Sequence, residues 1–217
     1  MKTTYLDFVW STIAISAILA AAVGVTVLIL PFSRAIMGDY HVLVDAFLVL
    51  FFYGLFSGIF LRLVLRWHPI RTGSYTMESP VFTYWKLLSV VYRLGQAALT
   101  PFTPVFLKPV VESLFGARVG TGVALGGTID DPYMVTIGDG AILGHASLVS
   151  GNMIHGGKLT CGPITIGAGA TVGIHSVLLP GTEIGENVTL MAGSYVLPNT
   201  KIPAGETWRG NPARKWL

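Results

Sequence analysis

A six-residue period in the C-terminal half constrains this chain more than any other feature. From Ile166 onward an aliphatic residue recurs at every sixth position, and the same phase runs earlier from Val119 to Val149, with Asp131 in one slot. Neither an amphipathic helix nor an alternating strand has this period. It predicts a solenoid in which each hexad supplies one short strand and one turn. The later positions are Ile166, Val172, Leu178, Ile184, Leu190, Val196 and Ile202.

Glycines and small residues recur with the same period. Gly167, Gly173 and Gly185 directly follow aliphatic positions, and we expect them to serve turns with positive φ. Three hexads then complete one triangular coil with the aliphatic side chains stacked inside. Residues 117–217 are therefore predicted to form a mainly β solenoid that ends in a short tail.

The period is interrupted once. The step from Val149 to Ile166 is one position short of three whole hexads. The segment Ser150–Pro163 must therefore contain a loop that leaves the coil, and insertions in repeat proteins often carry function. This loop contains Asn152, His155 and Lys158.

The N-terminal half is apolar enough to enter a membrane. The chain is 52% hydrophobic and only 12% charged, and no charge occurs from Phe8 to Ser33. A span needs about 20 apolar residues, which Phe8–Leu30 supplies before Pro31. The competing interpretation is a signal peptide, whose apolar core is usually shorter and whose start is more basic than Met1-Lys2-Thr3.

A second apolar run, Val42–Leu65, completes a transmembrane helical hairpin over residues 1–66. Basic residues flank its outer ends (Lys2, Arg62, Arg66 and Arg71), whereas the connecting loop holds Arg34 opposed by Asp39. The positive-inside rule then predicts a two-span protein of the cell (inner) membrane with both termini and the solenoid in the cytoplasm. The alternative is a buried helical hairpin of a soluble protein.

Residues 67–116 are predicted to form an interfacial connector. Val81–Leu99 is apolar but carries Lys86 and Arg93, which are seven residues apart and share a helical face. This pattern is typical of a helix that lies in the membrane interface. The helices of this segment could also cap the end of the solenoid, and the two roles are compatible.

The repeat resembles that of the hexapeptide-repeat acyltransferases, in which an aliphatic residue is followed by glycine, two variable residues and a small residue. Ile166-Gly-Ala-Gly-Ala-Thr and Val172-Gly-Ile-His-Ser-Val match this repeat, and Gly205-Glu-Thr-Trp-Arg-Gly-Asn-Pro-Ala-Arg resembles the tail of the family. Within the family the chain is most similar to members fused to membrane segments. The resemblance implies a left-handed parallel β-helix, a homotrimer, acyl-CoA (most often acetyl-CoA) bound between neighbouring solenoids, and a loop histidine as general base.

The loop departs from the pattern that the resemblance implies. Such loops often have a histidine followed, three residues later, by an acidic residue, whereas here Asn152 and His155 occupy those places. Three interpretations remain open. His155 is the base from a shifted position, with Asn152 orienting it or the substrate; or His145 is the base; or the site is degenerate and the protein only binds. Imidazole suits a general base because its unperturbed pKa lies close to neutral pH.

Several further site residues are predicted, and a purely structural role is the alternative for them. Ala168, Gly169, Ala192 and Gly193 are candidates to approach the pantetheine arm of CoA, or serve tight turns only. Arg209, Arg214 and Lys215 are candidates to contact CoA phosphates, lipid headgroups or solvent.

Three single residues have separate predictions. Asp131 is expected to shape a turn and to reach the acceptor pocket, His175 to be structural, and Cys161 to be a packed small residue.

Three functions compete on the sequence. The first is acyl transfer to a hydroxyl or amine of a lipid-linked or membrane-associated acceptor. The second is a zinc carbonic anhydrase, a class that shares the solenoid and needs three converging histidines; His145 and His155 are ten residues apart and His175 lies past the loop, so no metal is predicted. The third is a non-catalytic trimeric scaffold. A net charge of +3 without a basic stripe predicts no nucleic-acid partner.

Overall fold

A computed structural model describes residues 4–216, which fold as two compact units. Residues 4–69 and 80–104 form the helical unit, and residues 70–79 and 105–216 form the solenoid unit. The connector predicted over residues 67–116 is therefore divided between both units, and its interfacial location stays a prediction. Residues 1–3, which include Lys2 of the topology argument, and residue 217 lie outside the described residues.

The helical unit contains three helices: α1 (Tyr5–Met37), α2 (His41–Trp67) and α3 (Pro80–Leu99). The turn Gly38–Tyr40 joins α1 and α2 into a hairpin. Near this turn the Ser33 hydroxyl donates a 2.7 Å hydrogen bond to the Asp45 carboxylate. Thr4 and Asp7 form a capping box at the start of α1, which satisfies backbone N–H groups that the first helical turn leaves without partners.

Most of the buried side chains of α1 and α2 are small, and many large apolar side chains of both helices face outward. The buried positions of α1 include Ala14, Ile18 and Ala22, one turn apart, and those of α2 include Gly54 and Ser57. Small residues let helix backbones approach closely, as they do between helices in membranes. Leu28 is 75% exposed and Phe32 is 70% exposed. By length and composition the stretch Tyr5–Trp67 could cross a membrane.

The helix α3 packs on both other helices of its unit. Lys86 is buried, forms an ion pair with Asp7 of α1, and lies over the ring of Phe82 at 4.7 Å. The sequence pattern places Lys86 and Arg93 on one face of a helix that is predicted to lie in the membrane interface. The structure instead turns the Lys86 ammonium toward a carboxylate, because a buried charge needs a partner.

The solenoid unit begins with one strand before α3 and resumes at residue 105, ahead of the short helix α4 (Lys108–Leu114). A turn at Val105–Leu107 precedes α4, and another, Pro132–Met134, follows the first coil. The strands are β1 (Gly73–Thr76), β2 (Arg118–Val119), β3 (Ala124–Leu125), β4 (Thr128–Asp130), β5 (Val135–Ile137), β6 (Ile142–Leu143), β7 (Leu148–Ser150), β8 (Asn152–His155), β9 (Lys158–Cys161), β10 (Ile164–Ile166), β11 (Thr171–Val172), β12 (Val177–Leu178), β13 (Glu183–Ile184), β14 (Thr189–Leu190), β15 (Tyr195–Val196), β16 (Lys201–Ile202), β17 (Thr207–Arg209) and β18 (Arg214–Lys215).

The coil strands form three parallel sheets, which are the three faces of the solenoid. Face 1 holds β2, β5, β10, β13 and β16; face 2 holds β3, β6, β11, β14 and β17; face 3 holds β4, β7, β12 and β15. Thr165 pairs with Glu183 and Glu183 with Lys201, so one coil takes three hexads. The aliphatic hexad positions stack in one buried core. The predicted three-sided parallel β-solenoid is confirmed, and β18 folds back antiparallel on β17.

Two details of the hexad interpretation are wrong. Asp131 does not fill a core slot, because Ile129 lies opposite Val149 and Asp131 turns away with φ +57. The hexad glycines also do not have positive φ. They are required because a Cβ on Gly173 would lie 2.5 Å from the Ala192 backbone nitrogen of the next coil, which is far inside van der Waals contact.

Candidate functional site

The interruption of the repeat is a β-hairpin that leaves the coil between faces 3 and 1. Strands β8 and β9 pair antiparallel, with Gly156 and Gly157 at positive φ in the turn. This confirms that Ser150–Pro163 contains a segment outside the coil. The strand β1, from before α3, pairs with β9 and completes a three-stranded sheet. Sequence reasoning missed β1, and its signal is weak: only two neighbouring strand-prone residues, Tyr75 and Thr76.

Asp131 holds the base of this hairpin. Its carboxylate accepts a 2.6 Å hydrogen bond from the Asn152 amide and a 2.8 Å hydrogen bond from the Tyr133 hydroxyl. Asp131 is only 4% exposed, so these donors compensate for the loss of water. The Gly151 backbone N–H donates to the Asp130 carbonyl at 3.2 Å. The hairpin is thereby attached to the turn that ends the first coil.

Asp131→Ala is expected to loosen the hairpin. The change leaves the Asn152 amide without its acceptor, which costs about 1–3 kcal/mol in local stability. Amide hydrogen exchange in β8 and β9 should therefore accelerate about 5–150-fold. Asn199→Ala is the matched control, because Asn199 also has positive φ, +58, and so shares the backbone penalty of an alanine there. Equal exchange in the two variants would contradict a clamp at Asp131.

His155 lies at the tip of the hairpin, opposite Lys158, and its side chain is exposed. It is three residues from Asn152 on one strand, so the two side chains project from opposite faces. The Asn152 amide is engaged by Asp131. Within one chain, therefore, the Asn152 amide contacts Asp131 rather than His155, and a role for Asn152 in orienting His155 or the substrate stays a prediction. A catalytic role for His155 stays a prediction.

His145 lies at a different edge, between faces 2 and 3, beside His175 of the next coil. The two ring centroids are 6.5 Å apart with an interplanar angle of 85°. The His175 backbone N–H donates to the His145 carbonyl at 3.1 Å, and both side chains are exposed. Sequence reasoning had treated His175 as structural and did not foresee this histidine pair.

The predicted CoA-binding residues lie on two edges. Ala192 and Gly193 form the turn between β14 and β15, on the edge that holds His145. Ala168 and Gly169 form the turn between β10 and β11, on the edge between faces 1 and 2. A groove along one edge of one chain therefore contains only one of the two pairs.

The cationic tail residues lie on β17 and β18. The Arg209 guanidinium is 4.4 Å from the centroid of the Trp216 ring, and Lys215 forms a 2.7 Å ion pair with Glu206. The hydrogen bond from Lys215 and that from Trp208 lower the pKa of the Glu206 carboxyl below its usual value. Arg209 and Arg214 remain exposed, and their contact with CoA phosphates stays a prediction.

Cys161 is a buried thiol at the base of the hairpin. Desolvation raises its pKa to about 12, and the negative charge of nearby Asp131 acts in the same direction. At pH 8 only roughly 1 in 10⁴ molecules would carry the thiolate, which is the reactive form. We therefore expect no modification by iodoacetamide in the native protein at pH 8 and complete modification in denaturant, as measured by mass spectrometry. Native labelling at the denatured rate would contradict this environment.

The histidines of one chain do not converge. His145 and His175 share an edge, whereas His155 lies on the hairpin at another edge. Across residues 4–216, no three histidine, cysteine, aspartate or glutamate side chains are grouped closely enough to hold a metal ion. The donor set of a single chain thus does not fit the three-histidine zinc site of the carbonic anhydrase alternative.

The fold and the protruding hairpin define a hexapeptide-repeat solenoid, and comparison with known proteins agrees. Residues 163–198 match the family model of the bacterial transferase hexapeptide (six repeats). Residues 163–198 therefore carry the hexapeptide repeat of that family model, and the resemblance read from the sequence is confirmed for them.

The curated relatives differ in activity. Galactoside O-acetyltransferase of Escherichia coli (strain K12) is 33% identical over 120 residues, which is 50% of this chain and 58% of that protein. The mitochondrial gamma carbonic anhydrase 2 of Arabidopsis thaliana is 36% identical over 78 residues, 36% of this chain and 24% of that protein. The chain thus spans less than two thirds of either relative. A solved galactoside acetyltransferase in complex with coenzyme A aligns with a TM-score of 0.49 and 22% identity, over 72% of this chain and 90% of that chain.

Proposed function

We propose that this protein is a CoA-dependent acyltransferase that moves an acyl group, most often acetyl, from acyl-CoA to a hydroxyl or amine. The observation that carries the proposal is the hairpin with His155, projecting from a hexapeptide solenoid. The similarity to galactoside O-acetyltransferase extends over 120 residues, half of the chain, and supports acyl transfer over carbonic anhydrase activity.

The proposed reaction needs one proton acceptor. A histidine takes the proton from the acceptor hydroxyl or amine as its oxygen or nitrogen attacks the thioester carbonyl. The C–S bond then breaks, and CoA leaves as a thiolate, which is a good enough leaving group to need no strong acid. The oxyanion formed in this step would need a hydrogen-bond donor, such as a backbone N–H group. His155 is the proposed base and His145 is the alternative.

A trimer would assemble the site from two chains. In a closed ring each copy presents two different surfaces to its two neighbours. The edge of one copy that holds His145 and Ala192 would then face the hairpin of the next copy, which holds His155. Ile174 is 50% exposed and Met191 is 39% exposed on that edge, and exposed apolar side chains of this kind suit a subunit contact.

The helical hairpin is proposed to anchor the enzyme in the cell membrane. Its outer surface is apolar, and the side chains buried between its two helices are mostly small, as expected for two spans in lipid. Basic residues at the outer ends favour a cytoplasmic solenoid. An enzyme held in this way would act on an acceptor that is lipid-linked or located at the headgroup surface.

Cysteine labelling tests this topology. Asp39→Cys, in the turn of the helical hairpin, should react with a membrane-impermeant maleimide added outside intact cells. Lys201→Cys, on an exposed solenoid strand, should react only after the membrane is permeabilised. The native Cys161 gives little background because it is buried. Labelling of both positions from outside would refute the cytoplasmic solenoid.

The direct test of the activity is release of free CoA thiol that depends on an added acceptor. The full chain in detergent or nanodiscs should release CoA thiol from acetyl-CoA at a rate that saturates with the acceptor. A protein that binds partners only as a scaffold would release none with any acceptor tried. Zinc bound in a 1:1 ratio and lost on replacing these histidines would instead favour the carbonic anhydrase alternative.

A further inference from the structure

A groove opens on the first coils of the solenoid unit, away from the edge that holds His145 and His175. It has a volume of about 270 Å³. Pockets for drug-sized ligands measure about 300–1,000 Å³, so this groove suits a smaller group. Six of the residues that line it are Ile70, Thr72, Arg118, Tyr133, Thr136 and Pro163.

Arg118 is the charged side chain of this groove. It pairs in register with Thr136 on face 1, and the alternate residues Val119 and Ile137 point inward, so Arg118 and Thr136 both project outward into the groove. Within residues 4–216 no side-chain hydrogen bond or ion pair engages Arg118, and no acidic residue lines the groove.

The chemistry of the groove matches an oxyanion. A guanidinium forms paired hydrogen bonds with phosphate oxygens, and the hydroxyls of Thr72 and Thr136 can donate further bonds. Arg71, exposed and adjacent in the chain to two groove residues, adds positive charge near the groove. None of the residues that line the groove carries a carboxylate that would compete with a phosphate for Arg118.

A second observation indicates a lipid source for that phosphate. Val105 is 65% exposed, Phe106 is 74% exposed and Val110 is 63% exposed. The first two lie in the turn before α4, and Val110 lies in α4, which packs on β2, the strand of Arg118. Lys108 lies among them in the sequence. Apolar side chains beside basic ones are typical of surfaces that enter the headgroup region of an anionic bilayer.

We propose that the Arg118 groove binds the phosphate of an anionic phospholipid headgroup while Val105, Phe106 and Val110 enter the adjacent bilayer surface. The lipid source rests on the membrane anchoring proposed above, whereas recognition of phosphate rests on the groove alone. Tyr133 and Pro163 connect the groove to the base of the hairpin, since Tyr133 donates to Asp131 and Pro163 directly precedes β10. Bound phosphate would therefore lie next to the clamp that holds the hairpin.

Titration of the delipidated full chain in detergent with phosphatidylglycerol tests this site, with bound lipid counted by native mass spectrometry. Arg118→Gln should weaken binding about tenfold or more, because it removes charge-assisted hydrogen bonds. Lys201→Gln is the matched control: Lys201 is an exposed cation of the same face at the far end of the solenoid, paired with Glu183 at 2.8 Å. It should bind the lipid as the wild type does.

A second arm distinguishes the source of the phosphate. If glycerol phosphate in the millimolar range does not displace the lipid, the bilayer headgroup is the ligand. If it binds alone with the same dependence on Arg118, the groove takes a soluble phosphate and the lipid source is wrong. Wild-type lipid binding in the Arg118→Gln variant would overturn the site. Because the readout is binding, an absence of acyl transfer would leave this result intact and count only against the proposed enzyme.

Discussion

Replacing His155 with alanine is expected to lower the rate of acyl transfer about 10²–10⁴-fold, the contribution typical of a positioned general base. The acceptor would have to lose its proton to water instead. The measurement is acceptor-dependent release of CoA thiol by the full chain. The loss should appear in kcat, because the base acts on the reacting atoms and His155 is not among the residues proposed to hold CoA.

Lys158→Ala is the matched control for that variant. Lys158 lies directly opposite His155 at the hairpin tip and is also exposed, so its loss perturbs the hairpin equally without removing a base. It should retain nearly full activity. Full activity in His155→Ala would reject this histidine and transfer the role to His145, whose alanine variant should then show the large loss. Equal damage by Lys158→Ala would indicate that hairpin structure, not proton transfer, was lost.

Gly173→Ala is expected to destabilise the solenoid strongly although it adds only one methyl group. The added Cβ would lie 2.5 Å from the Ala192 nitrogen and 2.6 Å from the Met191 carbonyl carbon. These are backbone atoms of the next coil, so relief requires the coils to separate and strains the 2.8 Å hydrogen bond from the Gly173 N–H to Leu190. Overpacking costs about 1–3 kcal/mol and occasionally more, and we expect the upper end.

A cost of about 3 kcal/mol corresponds to a fall of about 6–12 °C in the melting temperature for a chain of this size. Circular dichroism of the β signal measures it. Gly140→Ala is the control: Gly140 has φ +65, but an added Cβ would meet nothing within 4 Å, so only the backbone penalty of about 1–2 kcal/mol applies. A larger loss in Gly140→Ala than in Gly173→Ala would contradict the close approach of coils as the reason for glycine at position 173.

The repeating part of the fold could be predicted because it is encoded locally. Each hexad of the series from Ile166 to Ile202 carries its own inward aliphatic residue, and stacking on the next coil repeats the same contact at every third hexad. The protruding segment could also be identified, because the spacing between Val149 and Ile166 departs from the six-residue period. The apolar character of α1 and α2 was likewise a property of composition along a single segment.

The candidate site could not be predicted from a local repeat, because it depends on contacts between segments that are distant in the sequence. Gly73–Thr76 joins the hairpin sheet although α3, α4 and the first coils lie between it and β9 in the chain, and Asp131 reaches Asn152 across the turn that ends a coil. Lys86 likewise meets Asp7 from another helix. Periodicity carries no information about such single contacts, because each depends on where two distant segments meet.

The sequence by itself thus determined the coil, its period, its interruption and the apolar N-terminal half, since these arise from repeated short-range patterns of burial. Only the tertiary structure decided which side chains meet: it separated His155 from Asn152, paired His145 with His175, and placed Arg118 in a groove without an acidic neighbour. The physical reason is that hydrogen bonds and ion pairs are specific in distance and direction, whereas hydrophobic burial is not.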